Sequence, residues 1–154
     1  MPAASRIEVK FEKPGVKKVS AAWVKKIVHF VLRAEKSRRR SVSVYLTGDP
    51  EIRRINRRFL RHDYATDVIS FWSEPENLTV KEADYLGDLV VSVETARSAS
   101  RRLKLPFRQE LARYLVHGTL HLLGYDDKKK KDFNRMHQRQ EQIVTRVTGR
   151  RPMV

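Results

Sequence analysis

The sequence predicts an α+β fold, a small mixed sheet of about four strands packed with about five helices around one central helix. Three observations carry that expectation. Four short segments read as strands, by alternation or by β-branched content. Amphipathic helical stripes lie among them without strict strand–helix alternation. One helical pattern, Phe107–Leu123, is apolar nearly all round, as a helix in the middle of a fold would be.

Arg6–Glu12 alternates Ile7, Val9 and Phe11 with charged residues, a strand with one buried face. Pro14-Gly15 breaks it. Val19–Ala34 turns helical, with Val19, Trp23, Ile27, Phe30 and Ala34 on one stripe. Lys36–Arg40 is a short basic connector, and Ser41–Thr47 alternates again as a second strand. Gly48-Asp49-Pro50 reads as a turn and helix start, with Asp49 as N-cap and Pro50 at the first helical position. That helix is expected to turn Ile52, Ile55 and Phe59 inward.

Thr66–Trp72 is β-branched and aromatic, and its continuous apolar character predicts a strand covered on both sides. Glu74–Asp84 is polar and long enough to be a mobile loop near a site. Leu86–Val93 is the fourth strand, and Glu94–Lys104 a short helix with Arg97, Arg101 and Arg102 on its polar side. Leu105-Pro106 breaks the chain before the central helix. Lys128–Lys131 opens a last helix, in which Phe133, Met136, Gln140, Ile143 and Val147 recur at helical spacing. Gly149–Val154 is a basic tail expected to fray.

The 154 residues suit a single domain spanning residues 1–154, and a 40% hydrophobic content argues against global disorder. No apolar run has the length of a membrane span, and the N-terminus lacks the apolar core of a secretory signal, so the cytoplasm is the expected compartment. Cysteine is absent, which leaves histidine and carboxylates as the metal ligands on offer. The net charge is +15. So much like charge costs stability unless a polyanion offsets it, which favours a nucleic acid over an acidic protein, a membrane surface or mere solubility.

Arg53, Arg57 and Arg61 fall at i, i+4, i+8, with Arg54 and Arg58 close by and Glu51 the only neighbouring acid. A solvated helix face is one reading. The excess of arginine favours the other, a ridge that contacts phosphates.

Val116–Asp127 reads V-H-G-T-L-H-L-L-G-Y-D-D. His117 and His121 are four residues apart, so a helix directs both imidazoles to one side. Left without partners in an apolar layer, each would cost about 1–3 kcal/mol. A metal ion would satisfy one nitrogen of each. Asp127, just past the Gly124 stop, is the candidate third ligand; Asp126 competes with it, and His137 would have to reach back from the last helix. A turn pair, one member capping the final helix, is the structural alternative for the two aspartates. Gly118 stands where the H-E-x-x-H metalloproteases carry their glutamate base, which disfavours a peptidase. A nuclease remains compatible, because a metal ion itself activates water.

The segment H-G-T-L-H-L-L-G-Y-D resembles the signature of the YbeY family of bacterial endoribonucleases, H-G-x-L-H-L-x-G-Y-D-H. T-D-V-I-S-F at Thr66–Phe71, L-G-D-L-V-V-S at Leu86–Ser92 and the order of elements agree with it. The resemblance implies an α+β, single-strand-preferring, metal-dependent ribonuclease that matures the 3′ end of small-subunit ribosomal RNA and serves ribosome quality control. It implies zinc on three motif histidines, two of which are His117 and His121. The third falls on Asp127, so another divalent ion becomes an alternative to zinc. In an ungapped alignment, a family arginine ahead of T-D-V falls on Leu60; a one-residue shift would give its role to Arg61. These two departures support a second reading, an RNA- or ribosome-binding assembly factor with a structural or vestigial metal. Neither the catalytic residues nor the oligomeric state follows from the sequence.

Overall fold

In a computed structural model of the chain, residues 5–13, 19–74, 79 and 83–149 are described. The order is β1 (Arg6–Phe11), α1 (Ala21–Ala34), β2 (Ser41–Thr47), α2 (Asp49–Leu60), β3 (Val68–Trp72), β4 (Tyr85–Ser92), α3 (Val93–Leu103), α4 (Phe107–Leu122) and α5 (Lys130–Thr148). Pro14-Gly15, most of the Glu74–Asp84 loop and the tail beyond Gly149 lie outside the described residues. The expected α+β architecture is present. The four strands form one mixed sheet in the order β1-β2-β4-β3, with β3 antiparallel to β4 and the other pairs parallel.

Strand alternation divides the packing between two faces. Val42, Val44, Leu46, Leu89 and Val91 join α1, α4 and α5 in the main core. Val90, Ile69 and the partly buried Tyr45 and Phe71 meet Ile52 and Ile55 of α2 on the other face. α4 is the hub, packed against α1, α3, α5, β3 and β4. Leu111, Ala112, Leu115, Val116 and Leu120 are all fully buried, which explains its apolar circumference.

Several local expectations change. α1 begins at Ala21, because Ser20 caps it by accepting from Trp23 N at 3.0 Å; Val19 is buried ahead of the cap. Asp49 is not the N-cap of α2. Gly48 is, and Asp49 is the first helical residue. The Asp49 carboxylate instead accepts from Ser92 Oγ (2.6 Å) and Thr95 Oγ1 (2.5 Å) at the start of α3, while Asp49 N donates to Glu94 Oε1 at 2.8 Å. Each helix thus carries the other's acid at its positive end. Phe59 is 61% exposed: it lies beyond the buried Ile52 and Ile55, meets the Phe71 ring in a T-shaped contact and has the Arg58 guanidinium over its face. β3 is an edge strand covered on both faces as expected, by α4 at Val68 and Ser70 and by α2 at Ile69 and Phe71, but its end is not, and Trp72 is exposed. The continuously buried strand is β4.

Two glycines set the approach of α4 to the sheet. Ser70 Oγ of β3 donates to the Gly118 carbonyl at 2.9 Å. A Cβ on Gly118 would stand 2.9 Å from both Leu89 Cδ2 and Val68 Cγ2. Gly87 in β4 has φ +154°, and a Cβ there would fall 2.3 Å from the Phe71 carbonyl oxygen and 2.8 Å from Leu122 Cδ2. Gly118→Ala meets side-chain ends, which yield at a cost of about 1–3 kcal/mol. Gly87→Ala meets backbone. Thermal unfolding of both variants should show the larger drop for Gly87→Ala, with roughly 2–4 °C lost per kcal/mol in a chain of this size.

Candidate metal centre

His117 and His121 lie one turn apart on α4, with ring centroids 4.6 Å apart and planes at 82°. Each imidazole is pinned through Nδ1. His117 Nδ1 donates to Gln140 Oε1 of α5 at 2.7 Å. The amide orientation follows from its other end, where Gln140 Nε2 donates to the Glu141 carboxylate at 2.9 Å. Arg113 holds Glu141 in a two-pronged ion pair, Nε and Nη2 each at 2.8 Å. His121 Nδ1 donates to the Tyr125 carbonyl at 2.9 Å. With both protons on Nδ1, the neutral rings carry their lone pairs on Nε2.

Those lone pairs point at a third acceptor. Asp127 Oδ2 is 3.3 Å from His121 Nε2 and 3.8 Å from His117 Nε2, and all three atoms lie within 4.8 Å of one another. With both rings in the neutral form, three acceptors converge, an arrangement that a cation relieves. Tetrahedral coordination with bonds of about 2.0–2.2 Å sets donor atoms about 3.3–3.6 Å apart, so the group fits a metal ion with small adjustments. Among the described residues this is the group able to hold one.

The other candidates separate from it. Asp126 turns its carboxylate to Lys128 N at 3.0 Å and closes the local turn. His137 is exposed and stacks on Phe133. Burial is the main influence on His117 and lowers its pKa from the ordinary value; the Gln140 bond opposes this, His121 reinforces it, and Asp67 and Asp127 oppose it. A ring held neutral is one ready to ligate.

The turn bearing Asp127 is anchored. Tyr125 Oη donates to Glu35 at 2.9 Å, and Arg139 Nε holds the same carboxylate at 2.5 Å. A cleft of about 710 Å³ opens over His117, His121 and Asp127, walled by the Leu60–Thr66 segment, β3 and this turn. Leu60 lines it and Arg61 does not. Arg61 leaves α2 in a left-handed conformation, φ 58°, so it does not continue the line of Arg53 and Arg57. Arg53 itself is paired with Asp63 at 2.9 Å, and Arg54 with Glu51 at 2.6 Å. None of the three ridge arginines lines the cleft; Arg39, from the basic connector, does, with its Nη2 donating to the Ser73 and Tyr85 carbonyls.

The sequence profile described as Endoribonuclease YbeY matches residues 6–148. The chain belongs to the YbeY endoribonuclease family. Similar proteins of that name come from Syntrophotalea carbinolica, 33% identical over 84% of this chain and 88% of the relative, and Chlorobium phaeovibrioides, 38% identical over 83% and 82%. A Thermotoga maritima protein of known solution structure superposes with a TM-score of 0.66 at 26% identity, covering 93% of this chain and 89% of the other. Against the YbeY signature, Asp127 takes the place of the third histidine while its oxygen still reaches both imidazoles.

Gln140, Glu141 and Arg113 were not singled out in the sequence as site residues. The signals were a glutamine within the apolar stripe of α5 and the place of Arg113 on the polar line of α4 that carries His117 and His121. Gln140→Leu keeps the volume and removes the acceptor for His117 Nδ1. It should weaken metal binding by roughly 10–100-fold and, by leaving His117 Nδ1 without its acceptor, lower stability by about 1–3 kcal/mol, read by titration calorimetry and thermal melts. In metal-free protein, the lowered His117 pKa means that the unfolded state binds more protons below about pH 6.5. Stability should therefore fall as pH drops from that value towards the folded pKa, and His117→Gln should flatten this part of the profile.

Proposed function

We propose that this chain is a metal-dependent endoribonuclease that cuts single-stranded RNA, and that its substrate is ribosomal RNA at the 3′ end of the small subunit. The observation that carries the reading is the meeting of His117, His121 and Asp127 beneath an open cleft, in a family of endoribonucleases. The three residues would hold zinc, or another divalent ion suited to the harder oxygen ligand. When bound, such an ion activates water and neutralises charge on the phosphodiester. Gln140 and the Tyr125 carbonyl keep the two imidazoles aimed.

The net charge of +15 supplies the attraction for RNA, and ribosomal association in the cytoplasm follows from the same substrate. No described helix is long and apolar enough to cross a membrane. Residues 1–154 are read as one such domain. Arg53, Arg57 and Arg61 are proposed as phosphate contacts outside the cleft; the exposed Arg53–Asp63 pair is weak enough to exchange for a phosphate. A second reading, an RNA- or ribosome-binding assembly factor with a structural or vestigial metal, draws on Asp127 and Leu60.

Wild type should contain bound metal and cleave single-stranded RNA, and a chelator should stop it. His117→Ala should lose roughly a hundredfold or more in rate, beyond what removing a residue that only orients a ligand would cost. Equal cleavage by both proteins would overturn the catalytic reading. Salt-sensitive RNA binding without any cleavage would favour the assembly factor. Asp127→His should shift metal preference towards zinc over manganese or magnesium, measured by competition in metal analysis.

A further inference from the structure

The cleft over the metal centre carries two aromatic side chains that the fold leaves in solvent. Trp72 is 59% exposed and Tyr64 55% exposed, and both line the same cleft as His117, His121 and Asp127. A scattered apolar side chain on a surface is ordinary, but two exposed rings lining one basic protein's candidate active site are not.

Their placement follows from the backbone. In β3, alternation puts Val68, Ser70 and Trp72 on the face towards α4. Ser70 bonds the Gly118 carbonyl, so Trp72 sits one repeat further along, where the sheet edge passes the end of α4. There its side chain is 59% exposed. Tyr64 is held from the other side. Its carbonyl accepts from the Nδ2 of buried Asn56 at 3.0 Å. Its ring stacks on His62, centroids 5.4 Å apart and planes 12° apart, and its hydroxyl meets His62 Nδ1 at 3.1 Å.

We propose that Trp72 and Tyr64 are a stacking platform for unpaired bases of the RNA, holding the strand across the metal centre and setting its preference for single strands over duplex. This rests on the nuclease reading above. Every base offers a π-face, but in a duplex both faces are covered by neighbouring pairs, so only an unpaired base can lie on an exposed ring. The cleft lining sets Arg39 and Lys128 against Glu74, Asp126 and Asp127, so the attraction for a polyanion carrying those bases comes from the net charge of +15 over the whole chain, and the rings supply the grip within the cleft. Stacking is tolerant of sequence, so the platform selects strand state rather than base identity.

The test uses metal-stripped full-length protein, so that binding is read without cleavage. The chain has two tryptophans, and Trp23 packs against the main core and beneath Arg108, away from the cleft. In a Trp23→Phe background, a single-stranded oligouridylate of about ten nucleotides should quench the Trp72 fluorescence, and a duplex RNA of equal length should not. Trp72→Ala should weaken single-strand binding by roughly tenfold at fixed salt and leave duplex affinity unchanged; Trp72→Phe should retain most of it. Metal affinity should be the same in all of these proteins, which separates loss of stacking from damage to the centre. No quenching, or equal loss for single strand and duplex, would overturn the platform, as would quenching by an apolar peptide and not by RNA. Quenching in a protein that never cleaves RNA would retain the platform and overturn the nuclease reading instead.

Discussion

The close approach of α4 to the sheet is the constraint on which the rest depends. With no side chain at Gly118, the helix backbone comes near enough to β3 for its carbonyl to take a hydrogen bond from Ser70. At that depth the helix is apolar on nearly every side, and its neighbours at 117 and 121 emerge only at the rim. The two imidazoles are therefore half-buried and must be partnered on one nitrogen by protein. Gly118 looked in the sequence like the missing base of a peptidase. In the structure its lack of a side chain is a packing requirement, and the two roles are compatible.

The partnering of the imidazoles distributes the centre over three parts of the chain. α4 supplies both nitrogens, the turn after Gly124 supplies the carboxylate and one carbonyl, and α5 supplies Gln140. Behind Gln140 stand Glu141 and Arg113, where the glutamate pairing raises the Arg113 pKa and keeps that guanidinium charged. A charge on α4 thus steadies an amide on α5, which in turn aims a ring on α4. The loop closes on itself without help from solvent, and little of it is visible in any one segment.

That distribution explains what was legible. The α4 pattern and the paired histidines are local and were read from spacing alone; the choice of Asp127 over Asp126 was open on spacing, was favoured by the resemblance, and depends on the turn, where Asp126 is occupied by Lys128 N. The fold class followed from periodicity. Its failures are tertiary. Phe59 repeats at helical spacing, but α2 overhangs the sheet there, and periodicity reports a face without reporting how far the opposing surface extends. The apolar run is a covered strand as far as Phe71, but Trp72 stands in solvent, because the run does not report where the packed helices end. Asp49 has every local feature of a cap, yet Ser92 and Thr95, more than 40 residues on, hold its carboxylate. Arg61 is in line with Arg53 and Arg57 only while the helix lasts.

The anchoring of the Asp127 turn by Tyr125, Glu35 and Arg139 has one more consequence. In small zinc modules the ion is the nucleus of the fold, and its loss unravels the chain. Here the three donors are already gathered by carbonyls, an amide and an ion pair that have no need of the ion. Little conformational entropy is left to be surrendered on loading, so more of the coordination energy appears as affinity. Emptying the centre leaves the scaffold standing. On the metal-dependent reading proposed above, metal supply would act as a reversible throttle on turnover, with the amount of protein unaltered.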